Sequence, residues 1–227
     1  MKVEIWADLV CPWCYIGKRR LASALRGFAH GQETEVIWRS YQLDPDAPAI
    51  PTQSVNEMLA NKYGVSLAEA AAKNAQVSEL AARDGLEYHI DRARYTNSFS
   101  AHRLNHLAAA YKLQDEMGDR LFRFYFTEGG SLADTDALAG LASEVGLPAE
   151  KAREVLQSSA RADEVGADIR QANRLDIRGV PFFLVDGKYG LSGAQSASGT
   201  PARRPNCREP VTIKRPGAES LSTAVLR

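Results

Sequence analysis

Long apolar runs are missing from this chain. No stretch of about 18 apolar residues occurs, so no membrane-spanning helix is expected. Charge of one sign is missing too. The 28 basic and 28 acidic residues cancel, which gives no reason to expect a nucleic acid or an anionic membrane as partner. Cysteine is scarce, with three in 227 residues, and that excludes a disulfide scaffold. The opening MKVEIWADLV contains Glu4 and Asp8 and lacks a long apolar stretch. A secretory signal is therefore not expected, short of a precursor already trimmed, and the expected setting is the cytoplasm. There is no internal repeat. What remains is ordinary for a soluble globular protein: 44% apolar and 25% charged residues. The length suits one domain with an insertion, or two small ones.

Against this background DLVCPWCYIG stands out, with Cys11 and Cys14 three positions apart. Before it, Val3, Ile5 and Ala7 alternate with Glu4, Trp6 and Asp8, the period of a strand. After it, YIGKRRLASALRGFA carries an apolar stripe at helical spacing. TEVIWRSYQL supplies a second strand over about 34–39, and a parallel pair with a right-handed crossover is the usual solution. PDAPAIP then breaks the chain. The next 120 residues or so read as helices. SLAEAAAKNAQVSELAARDG opens with Ser66 and Glu69 at capping-box spacing, and Pro148 suits the first position of another helix. Further helices fall on NSFSAHRLNHLAAAYKLQ, GDRLFRFYFTEG, DTDALAGLASEVG and about 159–174, and LEYHI at 86–90 is the one strand-like interruption. Strand signals return in PFFLVDGKYGLSG, where Asp186-Gly187 marks a hairpin turn.

The junction of strand one and helix one gives the cysteines their chemistry. There the sulfur of Cys11 faces a helix N-terminus, whose free N–H groups favour negative charge. The thiolate is the reactive form, so Cys11 is the expected attacking thiol. Pro12 suits the first helical position, and Cys14 shares a face with Cys11. Trp13 is expected at the exposed tip of the turn, as a flat apolar surface for substrate. A zinc site needs four ligands, and the one other cysteine is Cys207. His102 and His106 share a helix face, but HRLNH lacks the Glu of HExxH. No metal is expected. Asp8 is read as a surface residue at a strand end, with a proton acceptor near the thiols as the alternative.

CPWC, the strand-helix-strand start, the helical insertion and GVPFF before the hairpin together resemble the DsbA-like thioredoxin-fold superfamily. ADLVCPWCYIGKRRL, SYQLDP, NSFSAHRLNHLA and RGVPFFLVDGKYGLSGAQ look most like its FrnE branch of dithiol-disulfide isomerases. The likeness runs over about residues 2–195. It implies an α/β thioredoxin fold from 1–48 and 160–195, with a helical domain inserted over 49–159. It implies that Cys11 is the nucleophile and Cys14 the resolving thiol, forming a redox-active disulfide. Pro181 is implied to be a cis-proline facing the pair, with Val180 offering its backbone to an extended substrate. Asn97 and His102 fall in a family-like segment; they line the cleft or serve as a capping Asn and a satisfied helix His. The aromatics of RLFRFYF read as core.

The resemblance stops at GAQS. Residues 196–227 hold four of the ten prolines and carry six basic against two acidic residues. A packed helix cannot run through them, so an irregular tail is expected where the family continues into a helix, as a divergent or frame-shifted end. Cys207, within it, is read as a bystander thiol.

The implied function is thiol-disulfide exchange with protein or small-molecule thiols and disulfides. No bound cofactor is required, and glutathione is a candidate redox partner. Two alternatives stand. Kappa-class glutathione transferases and 2-hydroxychromene-2-carboxylate isomerases share the inserted domain but typically carry Ser at the position of Cys11. A chaperone-like module would use the helical block as an apolar surface. Composition leaves the oligomeric state open.

Overall fold

The computed structural model describes residues 1–195 and the backbone of Val211–Thr212. Strand β1 (Lys2–Ala7) leads through helix α1 (Pro12–Gly27) and a 3-10 turn (Gly31–Glu33) to β2 (Glu35–Ser40), which runs parallel to it. Six helices follow: α2 (Val55–Tyr63), α3 (Leu67–Arg83), α4 (Phe99–Ala110), α5 (Gln114–Phe126), α6 (Thr135–Glu144) and α7 (Ala149–Gln157). Then α8 (Ala162–Arg174) packs back against β2, and β3 (Phe182–Val185) and β4 (Tyr189–Ser192) form the hairpin. The sheet order is β2-β1-β3-β4-β5, where β5 is Val211–Thr212. This is an α/β thioredoxin-like fold with a helical insertion between β2 and the last strands. The calls on the remaining tail, Cys207 included, lie outside the described residues.

Local chemistry explains most element ends. Ser66 and Glu69 close a capping box on α3, as their spacing predicts. Ser54 and Glu57 close another on α2, a helix whose start carries the same signal and went unread. Asp186 and Gly187 both have positive φ, 48° and 66°, and Lys188 N–H bonds back to Val185 O at 2.9 Å. Pro148 caps α7 from outside and is not its first residue. The helix expected from residue 159 starts at Ala162, because Arg103 holds the carbonyls of Ser158 and Ala160 and keeps that stretch out of the helix.

LEYHI is not a strand. Leu86, Tyr88 and Ile90 are buried and alternate with more exposed residues, as the period-two pattern requires. However, among the described residues the segment has no neighbouring strand; its His89 N–H meets Phe126 O at the end of α5. Alternation reports burial, and a ladder needs a partner as well.

The core sits on both faces of β1. Val3, Ile5 and Ala7 join the large cluster shared with the helical block, whereas Trp6 packs with Phe182, Leu184, Ala172 and Ile177 on the α8 side. Burying Trp6 contributes roughly 2–3 kcal/mol by area. Its indole N–H donates to Asp168 O at 3.1 Å, so its polar end is satisfied. The free edge of β2 is closed by a side chain. Gln114 accepts from Trp38 N–H at 3.2 Å and donates to Trp38 O at 3.1 Å, which blunts edge pairing.

Candidate active site

Cys11 occupies the N-cap of α1, with Pro12 next and no acidic residue in the first turn. Its backbone is extended and its side chain makes no capping bond, so the sulfur lies at the positive end of the helix dipole. A turn sets it there: Cys11 N–H donates to Asp8 O at 3.0 Å, and Cys14 N–H to Cys11 O at 3.0 Å. Both cysteines are free thiols and both are buried, Cys14 completely and Cys11 to 4% exposure. The Cys11 thiol donates to Val180 O across 3.7 Å. The Val180–Pro181 peptide bond is cis. Gly17 lets this loop come close: a Cβ there would lie 3.0 Å from Pro181 Cγ.

Burial pushes the Cys14 thiol well above its ordinary pKa. The hydrogen bond to Cys11 and the neighbouring charges of Cys11 and Asp8 push the same way, while a hydrogen bond from the Asp8 backbone opposes them. Cys14 is thus held as a thiol, deep behind Cys11.

The chain belongs to the DsbA-like thioredoxin domain family. The family model, described as a DSBA-like thioredoxin domain, matches residues 2–199. A probable DsbA oxidoreductase from Streptomyces coelicolor is 42% identical, with a TM-score of 0.84, covering 87% of this chain and 86% of that one. A 2-hydroxychromene-2-carboxylate isomerase superposes with a TM-score of 0.63 at 14% identity, covering 86% and 89%. The cytosolic disulfide reductase DsbM from Pseudomonas aeruginosa gives 0.60 at 18%, covering 82% and 85%. The last two likenesses are of fold alone. By family the chain is a DsbA-like thiol-disulfide oxidoreductase, and its close Cys11–Cys14 pair is consistent with a CxxC redox site.

Other residues singled out in the sequence fall differently. Trp13 is half-buried and packs against the core; it is not at an exposed tip, because it is the second residue of α1 and that end of the helix lies on the core. Asp8 is 1% exposed, which overturns the surface reading. It is buried because the chain after β2 folds over it and gives it a donor: Leu43 N–H reaches Asp8 Oδ2 at 2.7 Å. His102 of α4 meets it, Nε2 to Oδ1, at 3.4 Å, and is itself buried. Asn97 accepts from Phe99 N–H at 2.8 Å and donates to Pro45 O at 2.8 Å and Ala47 O at 3.1 Å, stapling the 42–47 loop to the start of α4. Among the described residues no cluster of three or more His, Cys, Asp or Glu is arranged to hold a metal.

Tyr88 was missed. Its hydroxyl donates to Pro12 O at 2.7 Å, tying the insertion to the first turn of the active-site helix. Its ring stacks on Phe126 at 4.7 Å and on Tyr15 at 6.0 Å. The alternation in LEYHI was the available signal.

Proposed function

We propose that the protein is an FrnE-type dithiol-disulfide oxidoreductase in which Cys11 attacks and Cys14 resolves. The observation that carries this is the asymmetry of the pair. Cys11 caps a helix and faces Val180 O, whereas Cys14 is sealed and held protonated. The Cys11 thiolate attacks one sulfur of a substrate disulfide, a mixed disulfide forms, and the other half leaves as a thiolate. Cys14 then loses its proton and attacks Cys11. The Cys11–Cys14 bond forms, the mixed disulfide breaks, and the second substrate thiolate departs. A dithiol or glutathione returns the pair to its reduced form. The same steps in reverse oxidise a substrate dithiol, so the pair's potential against its surroundings sets the direction. The substrates in this reading are protein or small-molecule disulfides. Val180 O lies against the sulfur they approach, and Pro12, Trp13, Val180 and Pro181 are assigned here to substrate contact.

Cys11→Ser is expected to abolish reduction of a model disulfide, and Cys14→Ser to accumulate mixed disulfides, read by mass spectrometry. Full activity in Cys11→Ser would refute the proposal. The reading as a glutathione-using transferase or isomerase draws on the fold shared with the chromene-carboxylate isomerase. Retention of both cysteines weighs against it. Transferase turnover in a double cysteine variant would favour it.

A further inference from the structure

A side chain of the inserted block grips the first turn of α1, the turn that holds both cysteines. Tyr88 Oη donates to Pro12 O at 2.7 Å, and the residue is 8% exposed. We infer that Tyr88 is a positioning residue of the dithiol: through the Pro12 carbonyl its hydroxyl strengthens the N–H group that serves the Cys11 thiolate, and so favours the reduced pair. Its role rests on the proposed dithiol mechanism.

The peptide group between Pro12 and Trp13 carries the effect. Pro12 O and Trp13 N–H are its two poles, joined by amide resonance. A hydrogen bond accepted at the oxygen polarises the group and makes the N–H a stronger donor. An acceptor on an N-cap side chain takes the N–H of the second or third residue of its helix. Cys11 is the N-cap, and the third residue, Cys14, sends its N–H to Cys11 O at 3.0 Å. The second residue is Trp13, so its N–H is the one that serves the sulfur. As a thiol, Cys11 donates to Val180 O across 3.7 Å and makes no capping bond. Once it loses its proton it can only accept, and the polarised N–H then counts.

The insertion fixes where this hydroxyl sits. The segment that carries Tyr88 is pinned to the end of α5 on either side of it. Thr127 Oγ1 donates to Glu87 O at 2.6 Å, and His89 N–H donates to Phe126 O at 2.6 Å. The ring is held as well. It stacks on Phe126 at 4.7 Å and on Tyr15 at 6.0 Å, and Tyr15 stacks in turn on Phe122 at 4.9 Å. A donor fixed in this way needs no reorganisation when charge appears on the sulfur.

The hydroxyl also keeps its own proton when Cys11 gives one up. Burial first, and then the charges of Cys11, Tyr15, Cys14 and Asp84, push Tyr88 upward from the ordinary tyrosine value of 10.0. It is therefore a neutral donor throughout the range in which an ordinary thiol titrates, and adds no competing negative charge. Because it feels the charge of both cysteines, the hydroxyl lies beside the pair as well as on the helix.

The consequence is a shift in redox poise. When glutathione disulfide oxidises the protein, the Cys11–Cys14 bond forms and the glutathione S–S bond breaks. The two thiol protons and two electrons pass to glutathione, which leaves as two thiols. Only the reduced protein carries a thiolate for Tyr88 to favour. With the hydroxyl present the reduced side is lower and the pair is a stronger oxidant. Without it the pair gives up its electrons more readily.

Equilibration with defined mixtures of glutathione and glutathione disulfide tests this. Tyr88→Phe removes the hydroxyl and keeps the stacked ring, so a folded protein is expected. Its equilibrium constant for oxidation should rise about threefold, the size of effect expected from polarising one peptide donor, or about 14 mV toward reducing potentials. In the Cys14→Ser background, iodoacetamide should modify Cys11 about twofold more slowly at a pH where the thiolate is only partly formed, followed on the Cys11 peptide by mass spectrometry. Thr127→Val is the control. It frees Glu87 O, loosens the same segment without touching Pro12, and should lower stability while leaving both readouts unchanged. An equal shift in Thr127→Val would mean that tightness of the segment, and not the hydroxyl, sets the poise, and would overturn the inference. An unchanged equilibrium or faster alkylation in folded Tyr88→Phe would do the same. If Tyr88→Phe does not fold, 3-fluorotyrosine placed at position 88 alone, whose hydroxyl is a stronger donor, should move both readouts the opposite way, and no movement there overturns the inference equally. Failure of the unaltered protein to form a Cys11–Cys14 disulfide in any mixture would refute the dithiol mechanism itself.

Discussion

The sheet part and the helical block meet at the dithiol, and each is held by different physics. In the sheet, order comes from the backbone. Ladders join β1 to β2 and β3, a two-sided turn joins β3 to β4, and a single turn carries Asp8 into Cys11. In the block each helix satisfies its interior backbone and leaves its end groups over, so helices are joined mainly through side chains, some of which reach those ends. Most of that joining is apolar, but a few long polar side chains reach across it. Arg103 is the extreme case. From α4 it donates to the carbonyls of Val155, Leu156, Ser158 and Ala160, gathering the end of α7 around one guanidinium. The comparison teaches where single substitutions bite: in the sheet the ladder shares the load, whereas in the block one residue can carry a junction.

The largest expected effect follows. Arg103→Met keeps the volume and removes the donors, leaving buried carbonyls unpaired. A loss of about 3 kcal/mol is expected in denaturant unfolding, since bonds to a charged group count for more than neutral ones. A loss near zero would mean that the apolar packing of α4 on α7 carries that junction and the contrast with the sheet fails.

The same contrast governs what could be read in advance. Signals confined to a few neighbours were legible: the period of β1, the Ser66–Glu69 box, the Asp186-Gly187 turn and the cysteine pair at a strand–helix junction. Depth was not. The alternation marks β1 as a strand but does not tell that Glu4, Trp6 and Asp8 are buried as well. They are buried because residues far along the chain cover them: Arg39 pairs with Glu4 at 2.6 Å, α8 lies over Trp6, and His102 meets Asp8. The polar face of HRLNH could be seen, but its meaning depends on Asp8, 94 positions before His102. Such pairs leave no trace in a local window. The Ser54–Glu57 box did leave one, and there the signal was present and unread.

A smaller effect tests the seam between the parts. Tyr88→Phe removes the hydroxyl that holds Pro12 O and keeps the stacked ring. About 1 kcal/mol of stability should go. The reactivity of Cys11 toward an alkylating agent should change as well, because the first turn of α1 loses its tether. Unchanged stability and reactivity would show that the stack of Tyr15, Phe122 and Phe126 suffices. Gln114→Ala opens the β2 edge and is expected to cost somewhat less than 1 kcal/mol, because Gln114 is partly exposed and water can replace it. Its additional readout is self-association, which an opened edge promotes.

The last effect vanishes at neutral pH and grows above it. Burial raises the pKa of Cys14 in the folded protein above its ordinary value of 9.0. Below that value both the folded and the unfolded chain keep the proton, and stability does not depend on it. As pH rises past 9.0, the unfolded chain releases the proton and the folded one does not, so the folded state loses ground. Tyr88 and Tyr125 are raised too and act in the same direction, so the thiol must be isolated by difference. Cys11→Ala and Cys11→Ala/Cys14→Ala share every tyrosine and differ only at Cys14. Burial remains the first cause of the shift in the single variant. Unfolding free energies of the two should therefore run parallel from neutral pH to about 9 and separate above it, with the single variant falling faster. Parallel curves through about pH 10 would mean that Cys14 meets water freely, and the sealed resolving thiol that distinguishes it from Cys11 would be lost.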